Sequence, residues 1–208
     1  LGHFECGALH AAYQENPTLD PHAFVGDELM RVAGRALERT RVKTLNFQSI
    51  YGGGVPALQR KLRCSVAEAK QLKEFHNKAL PGRKILNEEI TRVVRRGDPI
   101  RTWGGRLYYP EKPGPDGRDK IYKLINYIVQ GSAADLTKQA LIDWYGHPLR
   151  DSRFLVTVYD EINISAPPEI ADSQMELLRS VMEERRLSVP MLSSGKRGPS
   201  WGDLTKCP

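Results

Sequence analysis

The hydrophobic and polar positions along the chain predict several helices and a few short strands. Apolar residues recur at helical spacing in several segments, and Gly or Pro residues end most of these segments. Helices are predicted over residues 1–15, 23–34, 37–51, 65–79, 83–96, 121–145 and 169–186. Segments that favour β-structure lie around 103–106 and 153–166, so the predicted fold class is α+β.

The best-defined helix ends are predicted by local residues. No Gly or Pro interrupts 37–51, and Gly52–Gly54 is expected to end that helix, because glycine adopts the left-handed C-cap conformation. The stretch 65–68 has the pattern of a capping box, which begins a helix. The helix 121–145 has an apolar stripe, formed by Ile121, Leu124, Ile125, Ile128, Val129, Leu136 and Ala140.

Two cations and two aromatic rings recur every four residues on helix 37–51: Arg39, Lys43, Phe47 and Tyr51. Each step of four advances about 6 Å with little rotation, so these side chains form one row of about 18 Å. A nucleoside triphosphate presents phosphates, a sugar and a base over a similar length. Cations suit the phosphates, and rings suit the sugar and the base. In the alternative interpretation, both rings are core residues beside two solvated cations.

Two acids lie at the tip of a predicted hairpin. Its strands are Phe154–Val158 and Ile162–Ala166, which read as buried strands, and Tyr159, Asp160 and Glu161 join them. Burying two adjacent carboxylates is unfavourable unless a cation compensates, and hard oxygen ligands suit Mg²⁺. Adjacent strand residues point to opposite faces, so one acid is expected to be the direct ligand. The alternative is a solvated polar turn.

Composition narrows the class of protein. The chain has 208 residues with 31 Lys and Arg against 25 Asp and Glu, a balance compatible with a polyanionic partner. Its three cysteines form no Cys-x-x-Cys pair, which argues against a zinc ribbon and for a reducing compartment. Without an apolar run of roughly 18 residues or a signal peptide, no membrane association and a cytoplasmic location are expected. Because the chain opens on Leu1, it is expected to be part of a longer protein.

Taken together, these motifs resemble the family A DNA polymerases, the DNA polymerase I type. The row that ends at Tyr51-Gly52 resembles their motif B helix, and 158–162 looks like their motif C. Residues 126–136 are similar to the family's Asn-x3-Gln-Gly-x-Ala-Ala-Asp stretch. Weaker similarities to the segment after motif A and to the family's C terminus lie at 1–4, 20–22 and 195–201. The resemblance covers essentially the whole chain and leaves a bacterial or phage origin open.

The resemblance implies the fingers and palm of a right-hand polymerase, with helix-rich fingers and a small antiparallel palm sheet. Residues 1–19 would belong to the palm, and 20–97 would form the fingers with the nucleotide-binding helix 37–51. Residues 98–208 would complete the palm, with the hairpin 153–166 and the C-terminal helix.

The resemblance also implies roles for individual residues on the nucleotide side. His22, Arg39 and Lys43 would grip the incoming deoxynucleoside triphosphate. Phe47 would pack against its sugar, and Tyr51 would lie beside the template base.

Other residues would meet the primer–template or the metal ions. Arg106, Asn126 and Gln130 would contact DNA. Asp160 would bind magnesium, while Glu161 and Tyr159 would lie near the primer terminus. Asp160, Glu161 and Lys43 are therefore the predicted catalytic residues, and no processivity factor is identified by the sequence.

The implied reaction is attack of the primer 3′-hydroxyl on the α-phosphate, assisted by two magnesium ions. In the family, motif A supplies an aspartate that bridges both ions, and that position is expected to precede Leu1. A two-metal site needs both carboxylate arms, so the chain alone is predicted not to polymerise.

Two positions depart from the family pattern. Tyr159 replaces the usual His before Asp-Glu, which puts a hydrogen bond near the primer terminus in doubt. Gln48 stands where a small Gly is common, which could change helix packing or a template contact.

Two other functions are compatible with parts of the pattern. A single-subunit RNA polymerase has a similar Arg/Lys/Tyr-Gly helix, but Phe47 and the Asp160-Glu161 pair favour DNA synthesis. A non-catalytic nucleic-acid-binding relative would not require Asp160, Lys43 and Arg39 together.

Overall fold

A computed structural model describes residues 7–34, 36–113, 120–184 and 186–207. The chain divides into two compact units, residues 1–131 and 132–208. The prediction for residues 1–6 lies outside the described residues. Helices and small antiparallel two-stranded sheets make up the described part, which confirms the α+β fold class.

The first unit begins with helices joined by short turns. They are α1 (Ala8–Glu15), α2 (Pro21–Ala33), α3 (Arg39–Ile50), α4 (Val55–Leu62), α5 (Val66–Ala79) and α6 (Pro81–Arg95). Asp20 caps α2 by accepting a hydrogen bond from the His22 backbone N–H at 2.8 Å. Ser65 accepts one from the Glu68 N–H at 3.1 Å, which confirms the predicted cap of α5.

Helices α2 to α5 enclose the main core of the first unit. Leu45 of α3 is fully buried and packs with residues of the neighbouring helices. The other buried members include Val25, Leu29, Val42, Leu58, Ala69, Leu72 and Leu80. This core fixes the face of α3 that points inward, and therefore the face that remains outside.

A second cluster packs α6 against a small hairpin and the start of the long helix. Strand β1 (Ile100–Arg101) pairs antiparallel with β2 (Leu107–Tyr108). A 3₁₀ turn at Ile121–Lys123 leads into α7 (Leu124–Tyr145). The buried members of this cluster are Ile90, Val94, Ile100, Leu124, Ile125 and Ile128.

The second unit contains the rest of α7, two hairpins and one further helix. Strands β3 (Arg153–Val158) and β4 (Glu161–Ser165) form the first hairpin, and a 3₁₀ turn then leads into α8 (Ala171–Met182). Strands β5 (Lys196–Ser200) and β6 (Asp203–Lys206) form the second. Its core contains Ala140, Trp144, Leu178 and Val181, with Phe154, Ile162 and Ile164 packed against them.

The structure adds elements that the sequence pattern does not predict. Helix α4 and the hairpin β5–β6 are absent from the predicted elements, and α6 begins at Pro81, two residues before the predicted start. Within this helix Ile90 and Val94 are buried, whereas Ile85 is 66% exposed. None of the described helices combines the length and apolar composition needed to cross a membrane. The division into palm and fingers stays a prediction.

Candidate functional site

The predicted row of cations and rings lies on the outer face of α3. Arg39 and Lys43 are exposed, and Phe47 keeps 40% of its surface accessible. Tyr51 follows as the half-buried C-cap residue of the helix. The opposite face is buried, through Val42, Leu45, Asn46 and Ser49. The interpretation of Phe47 as a core residue is therefore wrong.

The rings of this row form one continuous aromatic surface. Phe47 stacks on Tyr51 with their centroids 5.8 Å apart, and the Lys43 ammonium lies 6.0 Å from the Phe47 centroid. The His22 ring lies 5.8 Å from Phe47 and tilts against it. His22 comes from α2, so two helices build the surface. Such a surface can contact a sugar and a base while nearby cations attract phosphate.

Asp20 connects the start of α2 to the first cation of the row. Its carboxylate accepts a hydrogen bond from Nε of Arg39 at 2.7 Å and forms an ion pair with Nη2, also at 2.7 Å. Partial burial acts to raise the pKa of Asp20. The bonds from Arg39 and from the backbone N–H groups of His22 and Ala23 outweigh it, so the pKa lies below its ordinary value. Arg39 is thus held by a carboxylate at the start of α2.

Burial and nearby positive charge favour the neutral form of His22. Burial lowers its pKa, and the positive charges of Arg39 and Lys43 lower it further, against the opposing effect of Asp20. A neutral imidazole carries a hydrogen on only one ring nitrogen, so it can donate one hydrogen bond. His22 could therefore donate a single hydrogen bond to an anionic ligand at pH 7.

Two buried residues behind the row were missed by sequence reasoning. Asn46 lies on the inner face of α3, where its amide is 2.9 Å from His22 Nδ1 and 2.9 Å from His76 Nε2. His76 of α5 is fully buried, and its pKa falls to about 3 because of burial, with Arg83 and Lys73 adding to the effect. A polar residue on the inward face of α3 was the available signal for Asn46.

Two cations bind backbone carbonyls at the C-terminal end of α3 and in the turn that follows it. Lys73 donates to the Gly53 carbonyl at 2.9 Å, and Arg83 donates to the Ser49 carbonyl at 3.0 Å. Carbonyls at a helix C terminus lack intrahelical partners and carry partial negative charge. Burial, reinforced by Arg83, lowers the pKa of Lys73. These contacts hold the helix end that carries Tyr51.

Gly52 ends the helix as the sequence predicts, with φ at 79°. Added to this residue, a Cβ atom would lie 2.5 Å from the Tyr122 ring. The close approach of Tyr122 therefore adds a steric requirement for glycine to the conformational one.

Gly52→Ala is expected to destabilise the chain by about 2 kcal/mol, because left-handed strain and the contact with Tyr122 add together. Gly34→Ala is the matched control: its φ is 63°, but no described atom lies within 4 Å of the new Cβ. Urea unfolding should show a loss of about 1 kcal/mol for that control. Equal losses in both variants would show that the contact with Tyr122 costs nothing.

Some of the predicted DNA-contacting residues also lie in the first unit. Gln130 of α7 donates to the Tyr51 hydroxyl at 2.6 Å, so the structure brings these two residues together. Asn126, one turn earlier on the same helix, is half-buried. Arg106 is exposed just before β2, and its backbone N–H bonds the Thr102 hydroxyl at 3.0 Å.

The acidic hairpin belongs to the second unit and has a two-residue turn. Val158 pairs with Glu161, which leaves Tyr159 and Asp160 as the turn residues. Tyr159 adopts a left-handed conformation with φ at 55° and is 95% exposed. Because Asp160 lies in the turn and only Glu161 in a strand, strand alternation does not decide which acid is the ligand.

The expectation of buried strands is wrong for this hairpin. Leu155 and Val156 are 49% and 41% exposed. The hairpin has only two strands, and Phe154, Ile162 and Ile164 provide its contacts with the core of the second unit. The apolar composition of β3 therefore does not mean burial on both faces here.

Asp160 and Glu161 offer exposed carboxylates to a cation. Within the described ranges, neither side chain accepts a hydrogen bond or forms an ion pair with another residue. Their oxygens are hard donors that fit Mg²⁺. No group of three or more His, Cys, Asp or Glu residues in the described part of the chain could enclose a metal ion. The residues therefore fit one arm of a magnesium site.

Comparisons with known proteins agree on one family. Residues 5–203 match the model described as DNA polymerase family A. A DNA polymerase of Mycobacterium phage D29 is 34% identical over 80% of this chain, and DNA polymerase I of Chloroflexus aurantiacus is 29% identical over 95%. DNA polymerase theta of Caenorhabditis elegans is 30% identical over 80%. The chain spans 26%, 22% and 11% of these relatives, respectively.

A solved structure agrees in fold. The POL domain of Pol1 from M. smegmatis, in complex with DNA primer-template and dNTP, aligns with a TM-score of 0.79 at 26% identity. The alignment covers 91% of this chain and 35% of that one. Since the family model matches nearly all of the sequence, the chain belongs to DNA polymerase family A.

Proposed function

We propose that this chain serves template-directed DNA synthesis, the transfer of nucleotides from deoxynucleoside triphosphates to a primer 3′-hydroxyl. The observation that carries the proposal is the exposed row of Arg39, Lys43 and Phe47 on α3, a helix whose opposite face is buried. His22 of α2 lies beside this row. The relatives named DNA polymerase and the neighbour solved with DNA primer-template and dNTP support it.

In this proposal the first unit binds the triphosphate. Arg39 and Lys43 neutralise the phosphates, and His22 donates one hydrogen bond to them. Arg39 exchanges its hydrogen bond and ion pair with Asp20 for contacts with phosphate, so the ligand competes with a carboxylate already present. Phe47 packs against the sugar, and Tyr51 lies beside the template base.

Residues of both units are proposed to contact DNA, each within its own unit. Gln130 donates a hydrogen bond to Tyr51. A base beside Tyr51 and a DNA strand bound by Gln130 would therefore contact the same hydrogen-bonded pair of residues. Asn126 and Arg106 supply further contacts to the primer–template. Tyr159 is almost fully exposed at the tip of its hairpin and supplies a phenol near the primer terminus.

Asp160 would hold magnesium, with Glu161 beside it as the second acid of the tip. When bound, two magnesium ions lower the pKa of the primer hydroxyl and stabilise the departing pyrophosphate. The chain itself contributes the exposed carboxylate of Asp160 in the hairpin turn. Glu161, the first residue of β4, pairs with Val158 and so closes this turn. Lys43 neutralises charge that develops on the phosphates during transfer.

Lys43→Ala is expected to weaken dATP binding by the 208-residue chain about tenfold, because an exposed ammonium is lost from the phosphate end of the row. Isothermal titration calorimetry measures the change. Lys70→Ala is the matched control, since Lys70 is an exposed lysine on α5. Equal effects of the two substitutions would contradict the assignment of the row.

Primer extension tests the reaction itself. The 208-residue chain alone is expected to give no product, because the hairpin supplies one carboxylate arm of a two-metal site. A chimera, in which this chain replaces the matching 22% of the Chloroflexus aurantiacus polymerase, is expected to extend the primer with magnesium. Robust synthesis by the chain alone would contradict the one-arm proposal, and a folded but inactive chimera would contradict the function.

A further inference from the structure

The inference concerns the buried pair behind the nucleotide row. Asn46 is 4% exposed and His76 is fully buried, so neither can touch a ligand on the outer face of α3. Asn46 bridges His22 and His76, with distances of 2.9 Å on each side. The three residues come from α3, α2 and α5, all within the first unit.

We propose that Asn46 and His76 are positioning residues that fix which nitrogen of His22 carries the hydrogen, so that Nε2–H is presented to the triphosphate. The part of this inference that concerns the triphosphate rests on the proposed function. The part that concerns the state of His22 rests on the hydrogen-bond geometry alone.

The chemistry of the amide sets the direction of the chain of hydrogen bonds. An amide oxygen only accepts, and an amide nitrogen only donates. Asn46 Oδ1 faces His76 Nε2, so that nitrogen of His76 carries a hydrogen and donates. Asn46 Nδ2 faces His22 Nδ1, so that nitrogen of His22 accepts and carries none. The hydrogen of neutral His22 is therefore on Nε2.

His76 opposes the reversed arrangement. If the Asn46 amide were rotated by half a turn, His76 Nε2 would have to accept, and the hydrogen of His76 would move to Nδ1. His76 Nδ1 is buried and has no hydrogen-bond partner among the described residues. An N–H group buried without an acceptor is less favourable than an unpaired acceptor nitrogen. Burial also keeps His76 neutral, since its pKa falls to about 3.

The same arrangement opposes a doubly protonated His22. A second hydrogen on Nδ1 would point at the N–H groups of Asn46, and two donors would then face each other. His22 is thereby held as a neutral ring with one free donor, and no described residue accepts from its Nε2. Phosphate oxygens are strong acceptors, so the free donor matches the ligand proposed for the row.

Long-range ¹H–¹⁵N correlation spectra of the histidine side chains test the inference in the 208-residue chain without any ligand. In the unsubstituted chain, His22 should show a hydrogen-bearing Nε2 and a hydrogen-free Nδ1. The opposite assignment would overturn the inference with no variant required, so misfolding of a variant cannot leave it undecided.

Variants then test the roles of the buried pair. His76→Leu removes the donor to Asn46, so His22 is expected to show a mixture of both neutral forms and dATP binding to weaken about fivefold. His76→Gln keeps an N–H donor and is expected to restore both readouts. Asn46→Asp presents only acceptors to His22 and is expected to place a hydrogen on Nδ1.

The outcomes separate this inference from the proposed function. An unchanged His22 form in folded His76→Leu would overturn the positioning role, even if dATP binds. If the His22 forms change as expected but the unsubstituted chain binds no dATP, the proposed function fails and the assignment of His22 stands. If His76→Gln folds but does not restore the His22 form with its hydrogen on Nε2, that result would count against the inference.

Discussion

Asp160→Asn is expected to lower kcat/KM for primer extension by about 10³-fold or more, because the neutral amide cannot replace a charged ligand of magnesium. The substitution keeps the shape of the side chain. Asp160 is exposed in the turn of the β3–β4 hairpin and has no partner among the described residues, so its loss should leave folding unchanged. The effect is therefore expected in the chemical step and not in stability.

The measurement uses the chimera with the Chloroflexus aurantiacus polymerase, in which the rest of that polymerase is expected to supply the second carboxylate arm. Asp151→Asn is the matched control, since Asp151 is an exposed aspartate of the same unit, shortly before β3. The control should retain activity within about threefold of the parent chimera. Activity of Asp160→Asn within the same range would remove Asp160 from the metal site.

The elements that could be predicted from the sequence are those with strong local signals. Helix α3 was predicted because no helix breaker interrupts it and Gly52 ends it with a positive φ. The cap residue Ser65 predicts the start of α5, and two apolar segments around a short polar turn predict the acidic hairpin. These signals act over a few residues, so the sequence alone contains them.

Elements with weak local signals were missed for physical reasons. Helix α4 has only eight residues and follows three glycines, and Leu58 and Leu62 are its only buried residues. Strands β5 and β6 contain Gly198 and no alternating apolar face, and most of their residues are exposed. Backbone pairing within the hairpin stabilises them, which a hydrophobic pattern does not reveal.

Only some residues of the candidate site could likewise be predicted from the sequence. The row on α3 could be predicted because four-residue spacing places side chains on one face. The support behind it could not, because Asn46 meets partners 24 and 30 residues away in sequence. The roles of individual residues toward DNA, nucleotide and metal stay predictions that only the experiments above address.

Acidification is expected to destabilise the chain through His76, by about 3 kcal/mol between pH 7.5 and pH 4.5. The pKa of His76 is about 3 in the folded protein, below its ordinary value of 6.5. Below pH 6.5 the unfolded chain therefore binds a proton that the folded chain excludes, and the free energy of unfolding falls with pH. The loss continues until the pH reaches about 3, where the folded protein is protonated as well.

Urea unfolding followed by far-ultraviolet circular dichroism measures this effect, and His76→Gln separates it from the titration of carboxylates. Glutamine retains a donor for Asn46 but does not titrate, so the variant is expected to be less stable at pH 7.5 and less sensitive to acid. The two stability profiles should therefore converge by about 3 kcal/mol as the pH falls from 7.5 to 4.5. Parallel profiles would show that His76 takes up its proton equally in the folded and the unfolded state. The complete burial of His76 and the nearby charges of Arg83 and Lys73 argue against that result.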